Sequence, residues 1–292
     1  MRRSDHLVAV PNVSEGRDPT AIARLEGSVS AAGGRVLDVH SDPVHNRTVL
    51  TVAAEPGPLV AAMTALALAA AEIDLTRHEG VHPRLGVLDV CPFVVEADFV
   101  DDAVAAARAA GAAIAETAGL PVYLYGYAAT RPECAALPGL RKGGLPRLIE
   151  RSEADLPPDF ATGPIDPSRG VVCVGARGVL VAFNVWLRAD LGAARAIAGG
   201  VRAALGDAGV RTLGLEIWDG LTQVSMNLTD PARAGVDVAY REVAERAAAA
   251  GVQVHATELV GIPPERFMPD PDAEAARLLV EPGRSLERAL AG

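Results

Sequence analysis

Twice along the chain the same order of segments recurs, and that recurrence restricts the fold more than any single residue does. In the first half "LVAVPNV" (7–13) reads as a strand and residues 19–34 as a helix stopped by Gly33 and Gly34. "RVLDVHSD" (35–42) and "NRTVLTVAAE" (46–55) read as a hairpin joined by "PVH", residues 57–73 as an Ala-rich helix, and "LGVLDVCPFVV" (85–95) as a strand. A helix over 98–117 and the strand "PVYLYGYAA" (121–129) follow. The second half repeats the order with a strand at 178–187, a helix at 190–206, a hairpin of 211–219 with 221–230, a helix at 231–251 and a strand at 252–261. Strand–helix–hairpin–helix–strand is a split βαββαβ unit. The expected fold is therefore α/β (α+β), with two ferredoxin-like subdomains at 1–137 and 171–292. A Gly-, Pro- and charge-rich linker or crossover at 138–170 separates them. Each subdomain carries helices on one sheet face, so the two open faces are expected to press together, with a ligand cleft between them.

Composition excludes several classes. Half of the 292 residues are hydrophobic but only 4% are aromatic, so the apolar content is largely Ala, Val and Leu, as suits strands covered by helices. No apolar stretch approaches a membrane-spanning length, so no membrane partner is expected. "MRRSDHLVAVPNVSEGR" lacks a cleavage site and argues against a signal peptide. The cysteines, Cys91, Cys134 and Cys173, are odd in number and widely spaced, which fits a reducing cytoplasm and neither a disulfide framework nor a zinc site. A net charge of −10 argues against nucleic acid as a partner, while leaving room for a small anion held by local arginines. Lys142, the single lysine, would have to carry any Schiff-base chemistry, and nothing else points that way. G-x-S-x-G, P-loop and G-x-G-x-x-G patterns are absent.

"TRHEGVHPRL" (76–85) contains a literal H-E-x-x-H, the pattern of zinc hydrolases. That pattern needs one helix to put both histidines on one face. Here Gly80 would sit mid-helix, and Pro83 pushes His82 towards an extended conformation. The match is read as coincidental, with no metal expected. What remains is a loop carrying His78, Glu79, His82, Arg77 and Arg84 at the entrance to a strand. Other polar residues gather at strand ends: Asn12, Ser14 and Glu15, then His40, Asp42, His45, Asn46 and Arg47. The second half offers Asn184, Gln223, Ser225, Asn227 and Glu258, amides and hydroxyls suited to a flat, hydrogen-bonding ligand. Each has a plainer reading. Ser14-Glu15-Gly16 and "HSDPVHNR" also suit turns and helix caps, and Tyr123, Tyr125 and Tyr127 alternate as in ordinary sheet packing, although one of them can line a ligand pocket. The histidines and acids fit acid–base chemistry near neutral pH.

The blocks "VPNVSEGRD", "LDVHSDPVHNRTVLT", "RHEGVHPRLGVLDVCPFV", "LPVYLYGYAA", "GARGVLVAFNVWL" and "QVSMNLTD" run in order over residues 7 to 265. Together they resemble the glutamate formimidoyltransferase (formiminotransferase) family, in its stand-alone form without a cyclodeaminase segment. The resemblance implies a cytoplasmic homodimer that moves a formimino group from N-formimino-L-glutamate to N5 of tetrahydrofolate, in histidine degradation and one-carbon metabolism. It implies tetrahydrofolate as co-substrate, no metal, and His82 as general base, with Asp42 or Glu15 as the supporting carboxylate. The family's animal-type aspartate falls on His40, so Asp42 or His40 takes that role. Substrate contacts are expected from Asn12, Ser14, Glu15, His45, Asn46, Arg47, His78, Arg84, Tyr125, Asn184, Gln223 and Asn227. "LRKGGLPRL" lacks the glutamate of the family pattern, which admits a paralogue using another donor. A metal-dependent formiminoglutamate hydrolase and a non-catalytic folate-binding module are the rival readings.

Overall fold

The computed structural model describes residues 6–95, 99–218 and 220–292, so the first five residues of the N-terminal reading, the expected helix start at 98 and the hairpin residue at 219 lie outside it. The chain forms two compact units, Met1–Arg177 and Gly178–Gly292.

In the first unit the order is β1 (Leu7–Ala9), β2 (Asn12–Val13), α1 (Pro19–Ala31), β3 (Arg35–Asp42), β4 (Arg47–Ala54), α2 (Pro56–Ala70), β5 (Leu88–Val94), α3 (Val100–Ala118) and β6 (Val122–Gly126). The first strand is split because Pro11 has no N–H to give the ladder; its carbonyl still accepts from Leu50 N–H at 3.0 Å. β3, β4, β1/β2 and β5 lie side by side and antiparallel, the βαββαβ arrangement expected from the order of segments. α1 starts where Asp18 accepts from the N–H groups of Thr20 and Ala21, with Pro19 in its first turn. α3 turns Ala103, Ala107, Ala110 and Gly111 to the sheet, and these small side chains let it lie close.

The segment at 138–170 departs from the expected linker. It folds into α4 (Leu137–Arg141) and α5 (Gly144–Ala154) and is followed by β7 (Val172–Arg177). β7 pairs in parallel with both β5 and β6, so residues 171–177 complete the first sheet, whereas the expected boundary assigned them to the second subdomain. Alternation explains the placement. Val172 and Val174 face α1–α3, while Cys173 joins Val90, Tyr123 and Tyr125 on the opposite face, where Leu140 and Leu148 of α4 and α5 cover them. The Gly- and Pro-rich composition concealed this short apolar layer.

The second unit comprises β8 (Val181–Arg188), α6 (Leu191–Leu205), β9 (Val210–Trp218), β10 (Leu221–Leu228), α7 (Val236–Ala249) and β11 (Gln253–Val260), in sheet order β11–β8–β10–β9. Val181, Phe183, Val185 and Leu187 alternate into its core with Val224, Met226 and Leu228. Ala182, Asn184 and Trp186 therefore point to the other face. Among the described residues no helix is long and apolar enough to cross a membrane.

Candidate active site

The site in the first unit is built on the ends of β2, β3 and β4 and on the irregular segment from His78 to Arg84. Asn12 and His40 both stand opposite Val49, and Asp42 stands opposite Arg47, so all four lie on the face turned away from α1–α3. Leu75–Arg77 forms one 3-10 turn and no helix continues it. The two histidines of HEGVH consequently have separate partners. His78 Nε2 lies 3.0 Å from the Asn46 carbonyl and its ring contacts Arg84, whereas His82 contacts Arg47.

His82 Nδ1 is 2.8 Å from the Pro83 carbonyl. A carbonyl only accepts, so Nδ1 carries the hydrogen and Nε2 holds the lone pair. Arg47 Nη1 lies 2.7 Å from Nδ1 and 3.0 Å from Nε2, and in this tautomer only Nε2 can accept from it. The His82 ring is partly accessible, yet its pKa lies well below the ordinary 6.5. Burial among protein atoms is the main cause, followed by the positive charges of Arg47 and Arg141 and by His45. The resting state is a neutral imidazole.

Around it, Asp42 Oδ2 pairs with His45 Nδ1 at 2.8 Å, while Oδ1 accepts from the N–H groups of Val44 and His45 and so closes the hairpin turn. Burial raises the Asp42 pKa, but the His45 hydrogen bond and charge, together with these N–H groups, outweigh it and leave the carboxyl below its usual value. The His45 ring meets that of His82 edge-on, with centroids 6.0 Å apart. Arg47 donates to Asn12 Oδ1, and burial brings its pKa down to about 10. Arg84 is committed to structure: it donates to the carbonyls of His45 (3.1 Å) and His82 (2.9 Å) and so ties the turn to the loop. Asn46 completes the tie, accepting from Gly16 N–H at 2.9 Å and donating to the Glu79 carbonyl at 3.0 Å. A Cβ on Gly16 would lie 2.4 Å from Arg47 N and the Asp42 carbonyl oxygen, so only glycine fits there.

Other expected site residues serve the backbone. Glu15 accepts from the N–H groups of Arg17 and Asp18, and Ser14 donates to the Gly86 carbonyl. Tyr125 packs into the apolar layer under α4 and α5, with its hydroxyl hydrogen-bonded to Arg177. In the second unit Asn184 Nδ2 donates to Glu258 Oε2 at 2.9 Å, and Ser225 stands opposite Asn184 in the ladder. Gln223 stands opposite Trp186, whose indole Nε1 is buried without a hydrogen-bond partner. Asn227 is exposed on the same face, beside Ala182.

Residues 6–177 match the formiminotransferase domain, N-terminal subdomain, and residues 182–274 match the formiminotransferase domain. The chain belongs to the formiminotransferase family. It is 37% identical to a glutamate formimidoyltransferase from Thermoplasma acidophilum over 89% of each chain. It is 35% identical to one from Streptococcus pyogenes serotype M1, covering 89% of this chain and 90% of that one. It is also 37% identical to a formimidoyltransferase-cyclodeaminase of Sus scrofa, covering 91% of this chain and 52% of that protein. The chain thus spans about half the length of the fused relatives it matches.

Two residues of this candidate site escape a reading of the sequence. Asp89 is 2% exposed and accepts from Leu85 N–H at 2.8 Å and from Arg141 Nη2 at 2.5 Å, with Arg47 Nη2 at 3.8 Å. Its signal was there: an acid inside an apolar strand must be paired if it is buried. Arg141, at the end of α4, gave no such signal, because its segment reads as a linker.

Proposed function

We propose that this chain transfers a formimino group from N-formimino-L-glutamate to N5 of tetrahydrofolate, with His82 as the general base. The observation that carries the reading is a neutral, partly accessible imidazole whose Nδ1–H is tied to Pro83, leaving Nε2 as the basic atom. As N5 attacks the amidine carbon, Nε2 takes the N5 proton. The tetrahedral intermediate then collapses as the same proton passes to the glutamate nitrogen, which leaves as an amine. Arg47 covers Nε2 in the free site, and a substrate carboxylate that draws the guanidinium aside uncovers the lone pair. The Asp42 carboxylate, held by His45, supplies the nearby negative charge that favours an amidinium carbon. In the second unit Asn184, Gln223 and Trp186 share one face of the sheet, where the Trp186 indole N–H has no hydrogen-bond partner. The family relationship supports this assignment, and a homodimer is expected with it.

The test adds tetrahydrofolate and formiminoglutamate to chelator-treated protein and follows 5-formimino-tetrahydrofolate by absorbance. Wild type forms product, and His82→Ala loses about 10²–10⁴-fold in kcat, the usual contribution of a positioned base, while folate binding persists. Full turnover by His82→Ala removes the base assignment. Activity lost to the chelator and independent of folate points to a metal-dependent hydrolase, and folate binding without transfer from any donor points to a binding module.

A further inference from the structure

The α4 segment brings a cation onto the loop that carries His82. Arg141 Nη2 is 2.5 Å from Asp89 Oδ2, and Arg141 Nη1 donates to the Pro83 carbonyl at 2.8 Å. That carbonyl is also the acceptor for His82 Nδ1, so one oxygen is shared between the imidazole and the guanidinium. The other oxygen of Asp89 accepts from Leu85 N–H. Asp89 and Arg141 therefore grip both ends of Pro83–Leu85, and the grip is buried at the carboxylate.

The charged groups around the imidazole come from several elements. Arg47 reaches it from β4, His45 from the hairpin turn and Arg141 from α4. Asp89 on β5 faces Arg47 and Arg141, Asp42 faces His45, and Arg84 of the loop itself turns its head to backbone carbonyls. Burial lowers the Arg141 pKa and the Asp89 charge and hydrogen bond more than restore it, so this cation is permanent.

We propose that Arg141, anchored by Asp89, is a positioning residue for His82: it fixes the Pro83 carbonyl that holds the Nδ1 proton and keeps a permanent positive charge beside the ring. The kinetic part of this inference rests on the proposed role of His82 as base; the electrostatic part does not. Lysine is no equivalent here, since a single ammonium lacks the planar fork that meets a carboxylate and a carbonyl together.

The experiment records the His82 ring by NMR across pH in wild type, Arg141→Met and Arg141→Lys, with kcat and KM measured alongside. A His82→Gln spectrum identifies the resonance among the six histidines. Arg141→Met should titrate His82 at higher pH than wild type, and Arg141→Lys should return the titration towards wild type. Both variants should lose kcat while KM for the donor changes little. An unchanged His82 titration in Arg141→Met overturns the proposal, as does a rise in KM with kcat intact, which would make Arg141 a substrate ligand. If Arg141→Met does not fold, Arg141→Lys decides, and a wild-type kcat in it overturns the proposal. If wild type transfers from no donor, the functional reading falls and the titration still decides the positioning role.

Discussion

Asn46 is the joint between the hairpin turn, the chain after β2 and the His82 loop, so replacing it measures how firmly the site is built. Its Oδ1 accepts from a buried Gly16 N–H at 2.9 Å, and its Nδ2 donates to a partly buried Glu79 carbonyl at 3.0 Å. In Asn46→Ala the Gly16 N–H loses its acceptor, at a cost of about 1–3 kcal/mol, and the bond to Glu79 is lost, worth about 0.5–1.5 kcal/mol. Asn46 also has φ 48°, the left-handed region, where alanine pays roughly 1 kcal/mol more than asparagine. The expected destabilisation is about 3–5 kcal/mol, a large share of the ~5–15 kcal/mol that holds a typical domain. Asn46→Gly loses the same two bonds but enters the left-handed region freely, so it should be about 1 kcal/mol more stable than Asn46→Ala. Urea unfolding of both variants, with the slope m unchanged, reads the differences directly. Equal midpoints for the two would refute the backbone argument, and midpoints within about 1 kcal/mol of wild type would refute the hydrogen-bond argument.

Three further outcomes follow from the same geometry. Because the His82 pKa lies well below 6.5, the folded chain binds fewer protons than the unfolded chain between its depressed value and 6.5. That contribution to stability is full above 6.5 and is lost as pH falls through the folded value; the acid limb of kcat/KM should accordingly lie below 6.5, and a half-maximum at or above it would contradict the assignment. Gly16→Ala should disrupt the Asp42–Arg47 strand ends, since its Cβ has backbone atoms at 2.4 Å, and should show both a lower melting temperature and lower turnover. Asn184→Ala should lower the melting temperature, because it removes a donor to the buried Glu258 carboxylate, and an unchanged melting temperature would contradict that.

How much of this was legible in the sequence depends on the range of the interaction. The βαββαβ order was legible because alternation and helical periodicity are local: Val181, Phe183, Val185 and Leu187 face the core, and Asn184 and Trp186 do not. His82 was legible as non-helical for an equally local reason, the proline after it. Strand β7 was not legible as part of the first sheet, because its partners β5 and β6 lie far away in sequence and a parallel pairing leaves no turn signal. The partners of Glu15 and Arg84 were not legible, because charge near a strand end is ambiguous between ligand and backbone; Glu15 accepts from backbone N–H groups, and Arg84 donates to backbone carbonyls and contacts the His78 ring. Arg141 was invisible because its importance lies in reaching Asp89, which is 52 residues away along the chain.

The HEGVH stretch shows how one residue can undo one chemistry and prepare another. On a helix, His78 and His82 would present their rings to one ligand; Pro83 denies that geometry, and each ring instead meets its own guanidinium, Arg84 for His78 and Arg47 for His82. Pro83 then contributes its carbonyl, which orders the His82 tautomer and is itself held by Arg141. A cation beside each imidazole disfavours the protonated form that a catalytic acid would need in the free enzyme. In the proposed transfer such a ring begins the cycle neutral and takes a proton, which is the order of events that attack by an amine nucleophile requires.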